Sequence, residues 1–416
     1  MSQSVGMPPM MKEPAAPNGV AAALPTAETF TKQLHCIAEW WLSYAQDQAH
    51  GGFYGEVGDN NVARVDAEKG IVLNTRILWF FSEAAVFTGN ADYRAAAERS
   101  YHYLRDYFFD SKHGGFFWSL SPSGDVEQSK KQVYAQAFAV YALAAYYELS
   151  QDADALAMAL ECFDLIEANC VDRDGEGYYE AYTREWGKID DVRLSEKDLN
   201  YPKTMNTHLH VLEAYTKLYQ VHKADKVAQA LAYGIDLFDK YMIDHDNYHL
   251  RMFLSDDWQD HSPGLTYGHD IECSWLLYKA LDTLGDAERN ARLVPVVIEL
   301  AKTCQREAIR ERGDVVDAYD RASNSYHSER IWWVQAEALV GFLVAYKLSD
   351  DKSFLTTANN LWTFIDTYQI DHNKGEWRWH STLDVPDGSR DYKAGFWKGP
   401  YHNGRAMIEA AKLLGV

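Results

Sequence analysis

Apolar residues recur at i, i+3 and i+4 along most of the chain from about residue 28, the spacing of helices that bury one face. The pattern predicts twelve helices, at 28–48, 70–88, 91–110, 131–149, 153–170, 203–222, 224–241, 268–285, 287–307, 330–348, 352–369 and 399–414. Pro295 falls inside the ninth and is expected to kink or split it, because its ring removes a backbone donor and crowds the preceding turn.

The helices differ in how far round the apolar residues extend. Segments 134–147 and 331–346 are apolar on nearly every face, whereas 91–110 is charged. A helix apolar all round is buried all round. Six such helices lined by six amphipathic ones predict an all-α (α/α)6 barrel, a toroid of six inner and six outer helices.

A long repeat supports this. His50-Gly-Gly-Phe53-Tyr54 returns as His113-Gly-Gly-Phe116-Phe117 and as Gly175-Glu-Gly-Tyr178-Tyr179, with fainter echoes at Tyr248, Val315 and Trp377. A period of 62 to 70 residues fits a supersecondary unit stacked on its neighbours. The Gly-aromatic loops are expected to form short hairpin-like strands at one end of the barrel.

Residues 1–25, rich in Met, Pro and Ala, lack the basic start and unbroken apolar run of a secretory signal and are expected to form a flexible tail. Residues 26–416 are then a single catalytic domain. The 14-residue apolar run 134–147 is too short to cross a bilayer. Five widely spaced cysteines without a CxxC motif are expected to be buried, reduced thiols of a cytoplasmic protein. A net charge of −21 argues against nucleic acid or an anionic membrane as partner and leaves a neutral substrate open. Nothing in the acidic surface predicts more than a monomer or a weak homo-oligomer. Aromatics at 14%, including 13 Trp, exceed what packing alone demands and allow a flat ligand to stack on rings.

Polar residues cluster in the N-terminal halves of the apolar helices: Arg76, Tyr134, Asn206, His210, His269, Glu272, Trp332, Trp333, Gln335, His402 and Arg405. Inner helices of such a ring run the same way, so these residues converge at one mouth. Core positions do not normally carry unpaired Arg, His, Asn and Glu. His269 and Glu272, three apart, share a helix face, and the carboxylate is expected to orient the imidazole. His402 follows Pro400, which suits a first helical position. Two imidazoles facing one carbon from opposite sides could move a proton from one face to the other. Arg76 needs a partner, with Glu272 or a sugar oxygen as candidates. His208 and His210 lie about 200° apart on a helix and do not form a metal site together. Asn206 and His210 share a face, and His208 is expected to be a packed or surface histidine.

Together, Leu73-Asn-Thr-Arg76, Met205-Asn-Thr-His-Leu-His210, Tyr267-Gly-His269-Asp-Ile-Glu272, Trp332-Trp-Val-Gln-Ala-Glu337 and Phe396-Trp397-Lys-Gly-Pro-Tyr-His402-Asn-Gly-Arg405 resemble the N-acylglucosamine 2-epimerase superfamily, and within it the disaccharide epimerases. The resemblance implies inversion at C2 of the reducing-end glucose of β-1,4-linked disaccharides such as cellobiose, lactose or mannobiose, with no cofactor and no metal. It implies His269 and His402 as the acid–base pair, and Arg76 and His210 as groups that polarise O1 and O2 or assist ring opening. Glu272 would support His269. Tyr134 and Asn206 would contact the sugar, with Trp332 and Trp397 as stacking platforms. An aldose–ketose isomerase of the mannose isomerase type could use the same histidines. A glycoside hydrolase would need two opposed carboxylates, for which Glu180, Asp191 and Glu272 are candidates. A non-catalytic sugar binder would need neither histidine.

Overall fold

The computed structural model describes residues 25–386 and 391–415. The expected tail at residues 1–25 lies almost wholly outside the described residues.

Twelve α-helices form the described chain: α1 (Ala27–Tyr44), α2 (Ile71–Thr88), α3 (Ala91–Tyr103), α4 (Val133–Ser150), α5 (Ala153–Asn169), α6 (Met205–Val221), α7 (Asp225–Leu237), α8 (Tyr267–Leu284), α9 (Ala287–Ala308), α10 (Trp332–Ser349), α11 (Lys352–Phe364) and α12 (Tyr401–Leu414). Each even-numbered helix packs on the next even one, and α12 returns to α2, closing the inner ring. Odd-numbered helices pack outside. α2 and α4 are buried through nearly their whole length, as an inner position requires. By length and composition α2 could cross a membrane, but 83% of it is buried within the barrel. α9 runs unbroken through Pro295 and is not split there. Outer helices α3, α7 and α11 end in five-residue π-helical turns, at Leu104–Phe108, Phe238–Met242 and Ile365–Gln369, where the sequence pattern predicts continuous helix.

The turns from inner to outer helix share one solution. Gly89, Gln151, Gly285 and Asp350 adopt left-handed backbone at the ends of α2, α4, α8 and α10. Asn90, Asp152, Asp286 and Asp351 then cap the outer helix that follows with a side-chain oxygen.

At the opposite end, short antiparallel strands stitch each repeat to the next. Lys69–Gly70 pairs with Ser119–Leu120, Lys131–Gln132 with Ala181–Tyr182, and Lys203–Thr204 with Phe253–Leu254. The first amide of each of five inner helices donates across the same junction: Ile71 to Trp118, Val133 to Glu180, Met205 to Met252, Tyr267 to Asp317 and Trp332 to Trp379. These bonds satisfy donors that a helix start leaves free. Val57–Gly58 pairs with Tyr392–Ala394 and closes the ring between its two ends.

The repeat markers each sit in a bridge with the end of the preceding outer helix: Gln46 with Phe53, Phe109 with Phe116, Val171 with Tyr178, Ile309 with Val315 and Ile370 with Trp377. In the fourth repeat the bridge is Ile243 to Leu250, two residues beyond the expected marker Tyr248. Buried ion pairs anchor the same loops, among them Lys69–Asp47, Lys131–Asp110, Lys203–Asp172, Arg330–Asp314 and Lys393–Asp371.

All five cysteines are free, and four are buried. Cys36, on the outer helix α1, is exposed, which corrects the expectation that all would be core thiols.

Candidate active site

The inner helices present side chains to the barrel axis in layers one turn apart. Second positions give Tyr134, Asn206, Trp333 and His402 on α4, α6, α10 and α12. Sixth positions give Arg76, His210, Glu272 and Glu337 on α2, α6, α8 and α10. Residues four apart on a helix lie on one face, so both layers point the same way. All but Glu337 of these, with His269, Trp332, Trp379 and Trp397, line one pocket of about 510 Å³ at the N-terminal mouth. Leu194 to Asp198, from the loop between α5 and α6, form part of its rim.

The fourth position does different work. Gln136 and Gln335 each accept the amide and bind the carbonyl of a repeat marker, Phe116 and Val315. His208 accepts from the Tyr178 amide at 2.9 Å, and Asp270 accepts from that of Leu250. His208 is therefore a structural clamp, buried and turned away from the pocket, as its spacing from His210 predicts. Gln335, singled out with the pocket residues, is a clamp as well.

The histidine partners differ from the expected ones. His269 Nδ1 lies 3.0 Å from the Thr266 hydroxyl, and its ring meets Trp333 at 4.8 Å between centroids. Glu272 does not hold it. Instead Glu272 accepts from Arg405 at 2.8 Å and lies 3.9 Å from His402 Nδ1. The inner faces meet at the axis, where Arg405 outcompetes a neutral imidazole for the carboxylate. His402 Nδ1 is 2.6 Å from Glu337 Oε1. Pro400 is the N-cap rather than the first helical residue, which places His402 second in α12.

Arg76 likewise has no bond to Glu272. It donates to the Trp397 carbonyl at 2.5 Å and to the Tyr134 hydroxyl at 2.8 Å. Trp332 packs on Trp379 at 4.3 Å. Three buried polar atoms of pocket residues have no protein partner: Arg76 Nε, Asn206 Oδ1 and Trp332 Nε1. Buried polar atoms are ordinarily paired. All three belong to residues that line the pocket.

Beneath the pocket, Arg405 bonds Glu213, Glu272, Glu337 and the Tyr401 hydroxyl. Glu213 also accepts from Tyr401 and pairs with His210 Nδ1 at 2.9 Å. Glu272, Glu337 and His402 offer ligand atoms within 4.8 Å of one another, but the guanidinium already supplies the positive charge between the carboxylates. This layer separates the pocket from a second cavity of about 350 Å³ among the C-terminal halves of the inner helices.

Burial holds the pocket histidines neutral. His269 is pushed down to about 3 by burial and by His210. His402 lies well below the ordinary imidazole value, through burial and the nearby Arg76 and Arg405. Burial also raises Glu337, against Arg405, and raises Glu272, with Glu337 adding to the effect. Glu213 goes the other way: burial disfavours its charge, but Arg405 and His210 hold it down at about 2.

Residues 51–403 match the family described as N-acylglucosamine 2-epimerase (GlcNAc 2-epimerase). The chain belongs to this family. It is 42% identical over 373 residues to a cellobiose 2-epimerase of Bacteroides fragilis, covering 90% of this chain and 95% of that one. The structure of cellobiose 2-epimerase from Bacillus thermoamylovorans superposes with a TM-score of 0.87 at 34% identity, covering 93% and 98% of the two chains. A D-mannose isomerase of Marinomonas mediterranea is more distant, at 22% identity over 379 residues, 88% of this chain and 92% of that one. Membership makes the protein a carbohydrate epimerase, an enzyme of the isomerase class, and the closed helical barrel agrees with it.

Glu337 and Glu213 are site residues that the sequence reading left without a role. The signal for Glu337 was available: it is the sixth residue of its inner helix, as are Arg76, His210 and Glu272. The hydrolase candidates Glu180 and Asp191 do not line this pocket.

Proposed function

We propose that the protein inverts C2 of the reducing-end glucose of β-1,4-linked disaccharides, turning cellobiose into glucosyl-mannose and lactose into epilactose, by proton transfer between two histidines. The observation that carries this is the convergence of His269 and His402 on one pocket, each packed against Trp333 at ring-centroid distances of 4.8 and 5.5 Å, beside unpaired polar atoms of Arg76, Asn206 and Trp332.

Opening the sugar ring exposes an aldehyde at C1, which acidifies the C2 proton. A neutral imidazole on one face removes that proton and leaves a cis-enediolate. The second imidazole delivers a proton to the other face. The histidine that takes the C2 proton must be a neutral base before reaction, which burial favours, and the one that delivers must carry a proton on the nitrogen that faces C2. Arg76 carries a free Nε–H for the developing charge on O1 or O2. The Glu337–His402 contact allows one proton to sit on either partner. With it on the imidazole Nδ1, Nε2 is a base; with it on Glu337, a protonated Nε2 can donate. Trp397 and Trp332 offer ring faces to the sugars, and the Leu194–Asp198 rim lies where a second sugar would extend. The chemistry needs no metal or redox cofactor.

The test is cellobiose incubated with the protein in deuterated water and followed by NMR. The expected product carries a reducing-end mannose with deuterium at C2. Absence of both exchange and mannose overturns the reading. A ketose product would move the assignment to an aldose–ketose isomerase, and free glucose to a hydrolase.

A further inference from the structure

Glu213 lies one layer below the pocket, where Arg405, Tyr401 and His210 converge on its two oxygens. Arg405 Nη1 donates to it directly. Arg405 Nη1 also donates to the Tyr401 hydroxyl, so that hydroxyl accepts from the guanidinium and spends its own proton on Glu213, at 2.7 and 2.6 Å from the two oxygens. The third partner is His210 Nδ1, 2.9 Å from Oε2. Donors on both oxygens leave the carboxylate no reason to carry a proton of its own. An ionised carboxylate only accepts. The proton between Glu213 and His210 therefore belongs to Nδ1, and the neutral ring keeps its lone pair on Nε2.

We infer that Glu213 is a positioning residue for the reaction: it locks His210 as the Nδ1–H tautomer and so turns a permanent hydrogen-bond acceptor toward the sugar. This rests on the epimerase reading of the pocket. His402 faces Glu337, a carboxylate that also receives Arg405 and Trp275 but that burial raises above its ordinary range. His210 faces one pinned by Arg405 and Tyr401, and does not switch between acid and base. It accepts a sugar hydroxyl proton in a hydrogen bond and fixes that hydroxyl's direction while the C2 proton moves elsewhere. An Nε2–H histidine would present a donor, which can only donate to that hydroxyl's oxygen and so reverses the direction of the bond.

The experiment is 15N NMR of the histidine-labelled protein without sugar, with His210 assigned through His210→Gln. The wild type is expected to show protonated Nδ1 and bare Nε2. In Glu213→Gln the amide oxygen can serve Arg405 and Tyr401 while its NH2 donates to Nδ1, so the tautomer should invert to Nε2–H. Together with that inversion, kcat on cellobiose should fall about 10- to 100-fold, the usual range for a group that orients a functional imidazole, with KM changing less. Tyr401→Phe removes one donor but leaves Arg405, and should keep the Nδ1–H tautomer; it serves if the Gln variant does not fold. An Nε2–H tautomer in the wild type overturns the inference, as does an inverted tautomer with wild-type kcat. Because the tautomer is read without substrate, a protein inactive on every disaccharide would refute the epimerase reading and leave this measurement standing.

Discussion

His402 Nδ1 is 2.6 Å from Glu337 Oε1, while Glu272, the carboxylate three residues from His269, is 3.9 Å from the same nitrogen and bonded to Arg405 instead. In the proposed mechanism the carboxylate that serves the proton-transfer couple is thus Glu337. Glu337→Gln is expected to lower kcat by about 10²- to 10³-fold, within the range of a lost acid–base partner. Glu272→Gln should cost about tenfold, because it removes a neighbour of Arg405 rather than the imidazole's own partner. Steady-state rates on cellobiose with a melting control decide it; the reverse order would exchange the two roles.

Gly268 has no side chain because the Trp333 ring lies there. A Cβ at this position would come within 2.5 Å of Trp333 Cη2. Alanine is the better helix former by about 1 kcal/mol, so Gly268→Ala loses little or no stability from the helix itself. It must push the indole that packs against both His269 and His402. The expected outcome is a fall in kcat of tenfold or more with the protein still folded by circular dichroism. Unchanged kcat would remove Trp333 from the spacing of the pair.

His208 occupies the clamp position that Gln136 and Gln335 hold in other repeats, so His208→Gln should preserve the fold and most activity. Its effect should be on pH dependence. Burial lowers His208 from 6.5 to about 4. The unfolded chain therefore binds this proton first, and stability falls as pH drops from 6.5 towards 4. One such proton is worth about 1.4 kcal/mol per pH unit. The glutamine variant should lose less stability across that window and show no added pH dependence above it. Urea titrations at several pH values check this; parallel curves for the two proteins would reject it.

Lys393 and Asp371 form a buried pair at 3.0 Å, and Asp371 also accepts the amides of Asn373 and Lys374. Lys393→Met removes one partner and leaves a buried carboxylate with Arg378 as its remaining cationic neighbour. The expected cost is about 3 kcal/mol, read as a lower denaturant midpoint.

The helices were legible because their apolar spacing is long and regular, and the inner ring because its members are apolar on every face. The pocket was legible because polar residues recur at fixed turns of those helices. Partner choice was not. Glu272 shares a face with His269, but at the axis of a ring a face meets four or five other helices. Arg405, 133 positions away, claims the carboxylate. The same holds for Glu213, whose bond to Tyr401 spans 188 positions. Local spacing can say which way a side chain points, but not which distant group meets it. The fourth repeat marker was misplaced by two residues because Tyr248 imitates the aromatic residue while Leu250 makes the bridge.

The seam between the chain's two ends has a consequence for biosynthesis. Val57–Gly58 pairs with Tyr392–Ala394, and α12 both closes the ring against α2 and carries His402. A ribosome that has delivered α11 has made eleven of the twelve described helices, yet the nascent chain still exposes the apolar flanks of α1 and α2 and lacks His402, half of the proposed acid–base pair. At about 5–20 residues per second, the stretch from the end of α11 to the end of α12 takes several seconds to emerge. Over that interval the nascent chain exposes apolar surface of the kind that chaperones and proteases engage. A premature stop before α12 would leave that apolar surface uncovered and His402 missing.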